Sequence, residues 1–167
     1  MWLKIHLQMV KIFNRRIKTE TLKHFVFQSI LTGLVFYLGL NLLPILAEEF
    51  VLVAAAGSSA FVVFAMPSNK TADPRRVIGS HAVCGIIGFA FYATYPAVFS
   101  FEIAISLALT VSIIAMVSLW LEHPPAAGTV LFFVIDADPA AFVSLLLLIT
   151  IMALLSHVFH PYLYDLV

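Results

Sequence analysis

Six stretches of this chain, residues 24–47, 50–69, 77–101, 103–121, 123–135 and 139–164, contain no Lys, Arg, Asp or Glu. A helix rises about 1.5 Å per residue and needs about 20 residues to cross roughly 30 Å of hydrocarbon, so all but 123–135 are long enough to span a bilayer. Composition points the same way, with 62% of the 167 residues hydrophobic, 11% charged and a mean hydropathy of +1.05. A soluble domain carries about 25% charged residues, which excludes a water-soluble enzyme domain. The sequence predicts an all-α, polytopic transmembrane helical bundle of five long spans. The 13 residues of 123–135 reach only about 20 Å as a helix, so they form either a re-entrant helix or a short crossing sheltered by protein.

Nine Lys and Arg balance nine Asp and Glu, yet every cation lies at or before Arg76. Residues 1–24 carry net +5 and residues 67–78 net +2, while the remaining acids carry −7. Loops rich in Lys and Arg stay on the cytoplasmic side, so both basic segments belong inside with two crossings between them. The expected spans run from about Phe25 to Leu46, Phe50 to Met66 and Gly79 to Phe99, then inward to Trp120 and Glu122. Tyr92, Tyr95 and Pro96 would form an outer aromatic belt with a helix-stopping proline. Residues 1–24 lack the pattern of a cleavable signal and are expected to form a cytoplasmic basic amphipathic segment on lipid headgroups, or simply to fix orientation. The site of action is then the cytoplasmic (inner or plasma) membrane, with no nucleic-acid partner. A single cysteine, Cys84, allows no disulfide within the chain and no Cys-based zinc site, and no cofactor or metal is expected.

Ala55-Ala56-Gly57-Ser58 returns 71 residues later as Ala126-Ala127-Gly128-Thr129, and both copies continue into Phe/Val-rich sequence. Each copy sits in a segment flanked by two longer apolar ones, so the chain reads as long–short–long twice. Three crossings per unit would make the units inverted relative to one another, as in many transporters: repeat one at about 25–99, repeat two at about 102–160, then a tail at 161–167. In that arrangement the C-terminus is cytoplasmic; a re-entrant 123–135 would leave it outside. Small residues also let helices approach closely without any substrate.

His123-Pro124-Pro125 must break a helix, because proline lacks the donor and pushes the preceding residue toward extended geometry. Pro125 can open the next helix, leaving the amides of Ala126, Ala127, Gly128 and Thr129 as an anion site at its positive end. Gly57, Ser58 and Ser59 would face them from the related short helix near mid-membrane, making a cleft of hydroxyl and amide donors that suits a small anion. His81 and His123 could lend charge or a proton. Arg75 and Arg76 would gather anions at the entrance, or only fix orientation. His157 and His160 lack a third metal ligand.

His123-Pro124-Pro125-Ala126-Ala127-Gly128-Thr129 resembles the signature of the HPP family of small integral membrane proteins. Pro74-Arg75-Arg76-Val77-Ile78-Gly79-Ser80-His81 is similar to that family's Pro-Arg-x-x-Ile-Gly-Gly-His element, and Gly57-Ser58-Ser59-Ala60 to its Gly-Ala-Ser-Ala segment. The resemblance covers residues 25–160, with Ser80 in place of the second glycine and Ala127-Gly128 where Gly-Ala is common. Some members carry an added CBS domain, which is not expected here because nothing follows Leu166 and Val167. The resemblance implies nitrite transport, the activity attributed to plastid and cyanobacterial members.

The sequence thus predicts a non-enzymatic transporter or channel for a small monovalent anion, binding at paired short-helix N-termini, with membrane lipids and a homo-oligomer as partners. The alternative is a membrane binding or regulatory subunit whose small-residue motifs serve packing. An intramembrane enzyme using His123 and Glu122 would lack a nucleophile–base–orienter set.

Overall fold

The computed structural model describes residues 19–98 and 100–166, all of whose regular elements are helical. Of the expected amphipathic segment, residues 1–18 lie outside the described residues. The helices are α1 (Thr19–Leu42), α2 (Pro44–Glu48), α3 (Phe50–Ala65), α4 (Pro74–Val98), α5 (Phe101–Ser118), α6 (Ala126–Ile135) and α7 (Pro139–Phe159), with 3-10 turns at Lys70–Ala72 and His160–Tyr162. Four of them, α1, α4, α5 and α7, are long and apolar enough to cross a membrane, not five. The second expected span falls short because α3 stops at Ala65, two residues before Pro67, and has only 16 residues. The long–short–long order therefore holds with α3 and α6 as the short members.

Local chemistry sets the helix starts. Asp73 and Asp138 each precede a proline at the first helical position, and their carboxylates accept from the amides of Arg75 at 3.0 Å and Ala140 at 2.8 Å. These are N-caps with a proline whose missing N–H costs nothing. The start of α4 thus lies five residues before the Gly79 expected from hydropathy. Pro96 does not stop α4, which runs on to Val98.

The break after α5 begins before the prolines. Trp120 adopts φ +57, and Leu121 N–H donates to Met116 O at 2.8 Å while Trp120 N–H reaches Val117 O at 3.3 Å. This is a Schellman ending with tryptophan in the left-handed position. Pro124 and Pro125 then keep the chain from resuming a helix until Ala126.

Helix α6 is the centre of the described chain. Ala126, Thr129, Val130, Phe132, Phe133 and Val134 are all buried, packed by α3, α4 and α5. At about 15 Å it cannot cross hydrocarbon alone, and its shelter among longer helices is what makes so short an apolar element tenable. Small residues bring it close to α3: a Cβ on Gly128 would meet Ala55 Cβ at 3.0 Å.

The ends of α3, α5 and α7 and the starts of α4 and α6 gather on one face. Leu166 N–H donates to Ala65 O, Ser68 N–H to the Asp165 carboxylate, and Arg76 pairs with Glu122. Gln28, 1% exposed, donates from Nε2 to Phe64 O at 2.6 Å and Tyr164 O at 2.9 Å, and accepts from Tyr164 N–H at 3.1 Å. The tail after α7 is thereby clamped beside the 66–73 loop. The segment leading into α6 lies at this same face, with His123 beside Thr71, and α7 ends there. Gln28→Leu should release the tail at a cost of about 2 kcal/mol, because it strips the partner from the buried Phe64 O and from two part-buried backbone groups of Tyr164. Thermal unfolding and faster amide exchange at Tyr164 and Leu166 would register it; unchanged exchange would contradict the clamp.

Candidate functional site: a serine bridging two buried histidines

Four of the residues singled out in the sequence meet in one cluster at the junction of α3, α4, α6 and the loop face. Ser59, His81 and Thr129 are fully buried and His123 is 1% exposed. Ser59 Oγ lies 2.9 Å from His81 Nε2, 3.0 Å from His123 Nε2 and 2.9 Å from Ala55 O, with a single proton to place among them. His81 Nδ1 is 2.6 Å from the Thr129 hydroxyl, and His123 Nδ1 donates to Thr71 O at 2.7 Å. The ring centroids stand 5.5 Å apart.

Each position has a local cause. His81 is seven residues into α4, about 10 Å from its start, so the cluster sits in the third of that helix nearest the loop face. The α5 ending and the prolines turn His123 inward. Ser59 lies on the face of α3 that also buries Ala55, Ala56 and Ala60. Among the described residues every buried side-chain polar atom has a partner, so the cluster is a closed network. Burial pulls the His123 imidazole below its ordinary range, and the Thr71 carbonyl opposes that by favouring the charged ring.

The helix-start amides and the other singled-out residues lie outside this cluster. The amides of Ala126, Ala127 and Gly128 are not free: they donate to His123 O, Pro124 O and Pro125 O at 3.0, 3.0 and 3.1 Å in a tightened first turn. Nor are two helix starts paired. The first small-residue copy lies in the middle of α3, whose N-terminus at Phe50 is remote from it because no proline breaks the chain between them. A Cβ on Gly57 would meet Phe36 of α1 at 3.6 Å, so this position faces α1 and not the histidines. Ser58 bonds back to Ala54 O and borders, with Asn69, Thr71, Pro124 and Pro125, a cleft of about 560 Å³. Arg76 is held by Glu122 at the break, so its charge is committed; Arg75 is exposed. His157 and His160 line a separate cleft with Lys70 and Asp73.

Sequence reasoning missed Thr71, which acts through its carbonyl and so leaves no trace in residue type. It also missed Gln28, whose signal was available: a lone long amide in a 24-residue charge-free run demands a buried partner. On the far side of the cluster, Phe133 stacks on Phe89 at 4.8 Å and meets Phe142 edge-on at 5.3 Å, closing the space between α4, α6 and α7.

Four long apolar helices, a short buried one packed by α3, α4 and α5, and a polar cluster inside define an integral multi-pass membrane protein. The chain belongs to the HPP family: the description of that family's transmembrane region matches residues 17–163. A transmembrane protein of Dictyostelium discoideum is 30% identical over 93 residues, 55% of this chain and 33% of that protein, so the chain spans about a third of that relative's length. No solved structure matches the chain.

Proposed function

We propose that this protein is a transporter or channel for a small monovalent anion, nitrite first among candidates, and that the Ser59–His81–His123–Thr129 cluster binds it. The observation that carries the reading is a pair of imidazoles bridged by one hydroxyl inside a membrane domain, since ionisable groups are costly there and tend to mark a pathway. With one ring protonated the cluster offers a positive charge and two hydroxyls, a donor set for an oxyanion and not for a metal cation. The helix-start amides drop out of the site.

The fold as observed is then the closed, unloaded state. The 560 Å³ cleft reaches Thr71 and Pro124 from the loop face, so parting the His123–Thr71 bond admits an anion from that side. Phe89, Phe133 and Phe142 bar the far side as a hydrophobic gate. We read the six helices of α1, α3, α4 and α5, α6, α7 as two inverted triplets crossing six times, with the loop face, which carries Lys70, Arg75 and Arg76, cytoplasmic.

Purified full chain in proteoliposomes should take up nitrite faster than empty vesicles, with saturation and counterflow if it is a carrier and neither if it is a channel. Uptake equal to that of empty vesicles would remove the proposal. The close Gly128–Ala55 packing and the fully paired network also fit a non-transporting subunit, which would bind no anion and co-purify with a fixed partner.

A further inference from the structure

The atoms of the buried cluster are arranged to admit one additional proton. Thr71 O can only accept, so His123 Nδ1 carries a hydrogen and, in the neutral ring, Nε2 is bare. Ser59 then gives its single proton to that nitrogen across 3.0 Å, and His81 Nε2, 2.9 Å away, must donate to the Ser59 oxygen. His81 Nδ1 is therefore bare and takes the Thr129 hydroxyl proton at 2.6 Å. Every member is paired, and all four donors point from Thr129 toward Thr71.

A second pairing stands ready beside the first. Ala55 O lies 2.9 Å from Ser59 Oγ, so the serine proton can turn to it. The serine oxygen then faces both Nε2 atoms with two lone pairs, and His123 can hold a hydrogen on each nitrogen, one donated to Thr71 O and one to Ser59. His81 cannot do the same cheaply. A hydrogen on its Nδ1 would expel the Thr129 proton from the nitrogen that accepts it, and two charged rings would stand 5.5 Å apart.

We infer that Ser59, His81 and His123 form a single-proton site, in which His123 Nε2 binds the proton and rotation of the Ser59 hydroxyl to Ala55 O admits it. A hydronium ion delivers the proton that forms the new N–H bond and is left as water; on release that proton returns to water and the Ser59 O–H, intact throughout, turns back to hydrogen-bond with Nε2. The 560 Å³ cleft beside Thr71 and Pro124 supplies the water. The charged surroundings leave this proton without a carboxylate partner. Glu122 next to His123 is paired with Arg76 of α4, and Asp73 of the loop caps α4. Residues 50–65 and 126–135 contain no titratable side chain, α5 has only Glu102 in its first turn, and His157 of α7 is exposed. Resting on the transport reading, the charge would be met by the anion itself, giving an electrically neutral load.

The test reads protons and not flux, so it separates from that reading. The full chain, with 15N-labelled imidazoles, is titrated in lipid nanodiscs from mildly alkaline to mildly acidic pH. His123 should appear first as the neutral Nδ1–H tautomer and then as imidazolium, while His81 stays neutral and Nε2–H throughout. Protonation of His81, protonation of both rings, a neutral Nε2–H form of His123, or a His123 that stays neutral until unfolding would each overturn the inference. Ser59→Ala removes the oxygen that accepts from the charged ring and should lower the His123 midpoint by at least about one pH unit, tenfold in proton affinity. Ser59→Thr should restore it. An unmoved midpoint in Ser59→Ala would overturn the serine's part, and the wild-type spectra decide the rest even if that variant fails to fold.

Discussion

Gly88→Ala should force α4 and α6 apart and cost about 3 kcal/mol, the upper end of what overpacking does. A Cβ at that position would stand 2.5 Å from Phe133 Cβ, 3.0 Å from Val130 O and 3.2 Å from the Phe133 carbonyl carbon. None of these atoms can be moved by a change of rotamer; only the helices can shift. The α4–α6 contact is the broadest between any two described helices, and it also holds Thr129 against His81. Thermal or denaturant unfolding in detergent, followed by helical circular dichroism, measures the loss. Gly33→Ala in α1 is the control, because a Cβ there meets nothing within 4 Å and the helix should gain up to about 1 kcal/mol. Similar unfolding of the two variants would contradict the close approach.

That contrast shows which features a one-dimensional reading reaches. Charge-free runs gave the helices because hydrocarbon admits little else, and they gave α6 as a short sheltered element because 13 residues cannot cross alone. They misjudged ends. Hydropathy counts Met66 and Pro67 as apolar, whereas α3 stops when its backbone can no longer pair; it also passes over Asp73-Pro74 and Asp138-Pro139, where capping chemistry starts α4 and α7. The Asp-Pro pairs were legible and carry a physical reason. Trp120 as a left-handed helix terminator was not, since nothing in a tryptophan announces φ +57.

The site divides in the same way. Ser59, His81, His123 and Thr129 were found as polar residues at small-residue segments, and the fold gathers them. Helix-start amides were expected to be free because Pro125 can begin a helix, but the tight turn from His123 to Gly128 consumes them. The expected pairing of two short-helix starts fails for a related reason. Two similar tetrapeptides do not occupy the same place in their helices when only one of them follows a proline pair.

His123→Ala and Thr129→Val in proteoliposomes should therefore distinguish a binding cluster from a packing device. Each removes one donor to the proposed anion while leaving the small-residue contact of Gly128 with Ala55 untouched. Losing a hydrogen bond to a charged group costs about 1.5–3 kcal/mol, so nitrite uptake should fall about 10- to 100-fold in either variant. Thr129→Val keeps the shape of the side chain but leaves buried His81 Nδ1 without a hydrogen-bond donor, so some stability is lost as well; melting measured on the same preparations keeps the two effects apart. In a purely structural network, unfolding would track the substitutions and flux per folded molecule would not change. Wild-type uptake by both folded variants would remove the histidine cluster from the pathway and leave it as the polar lock that fixes α3, α4 and α6 at the loop face.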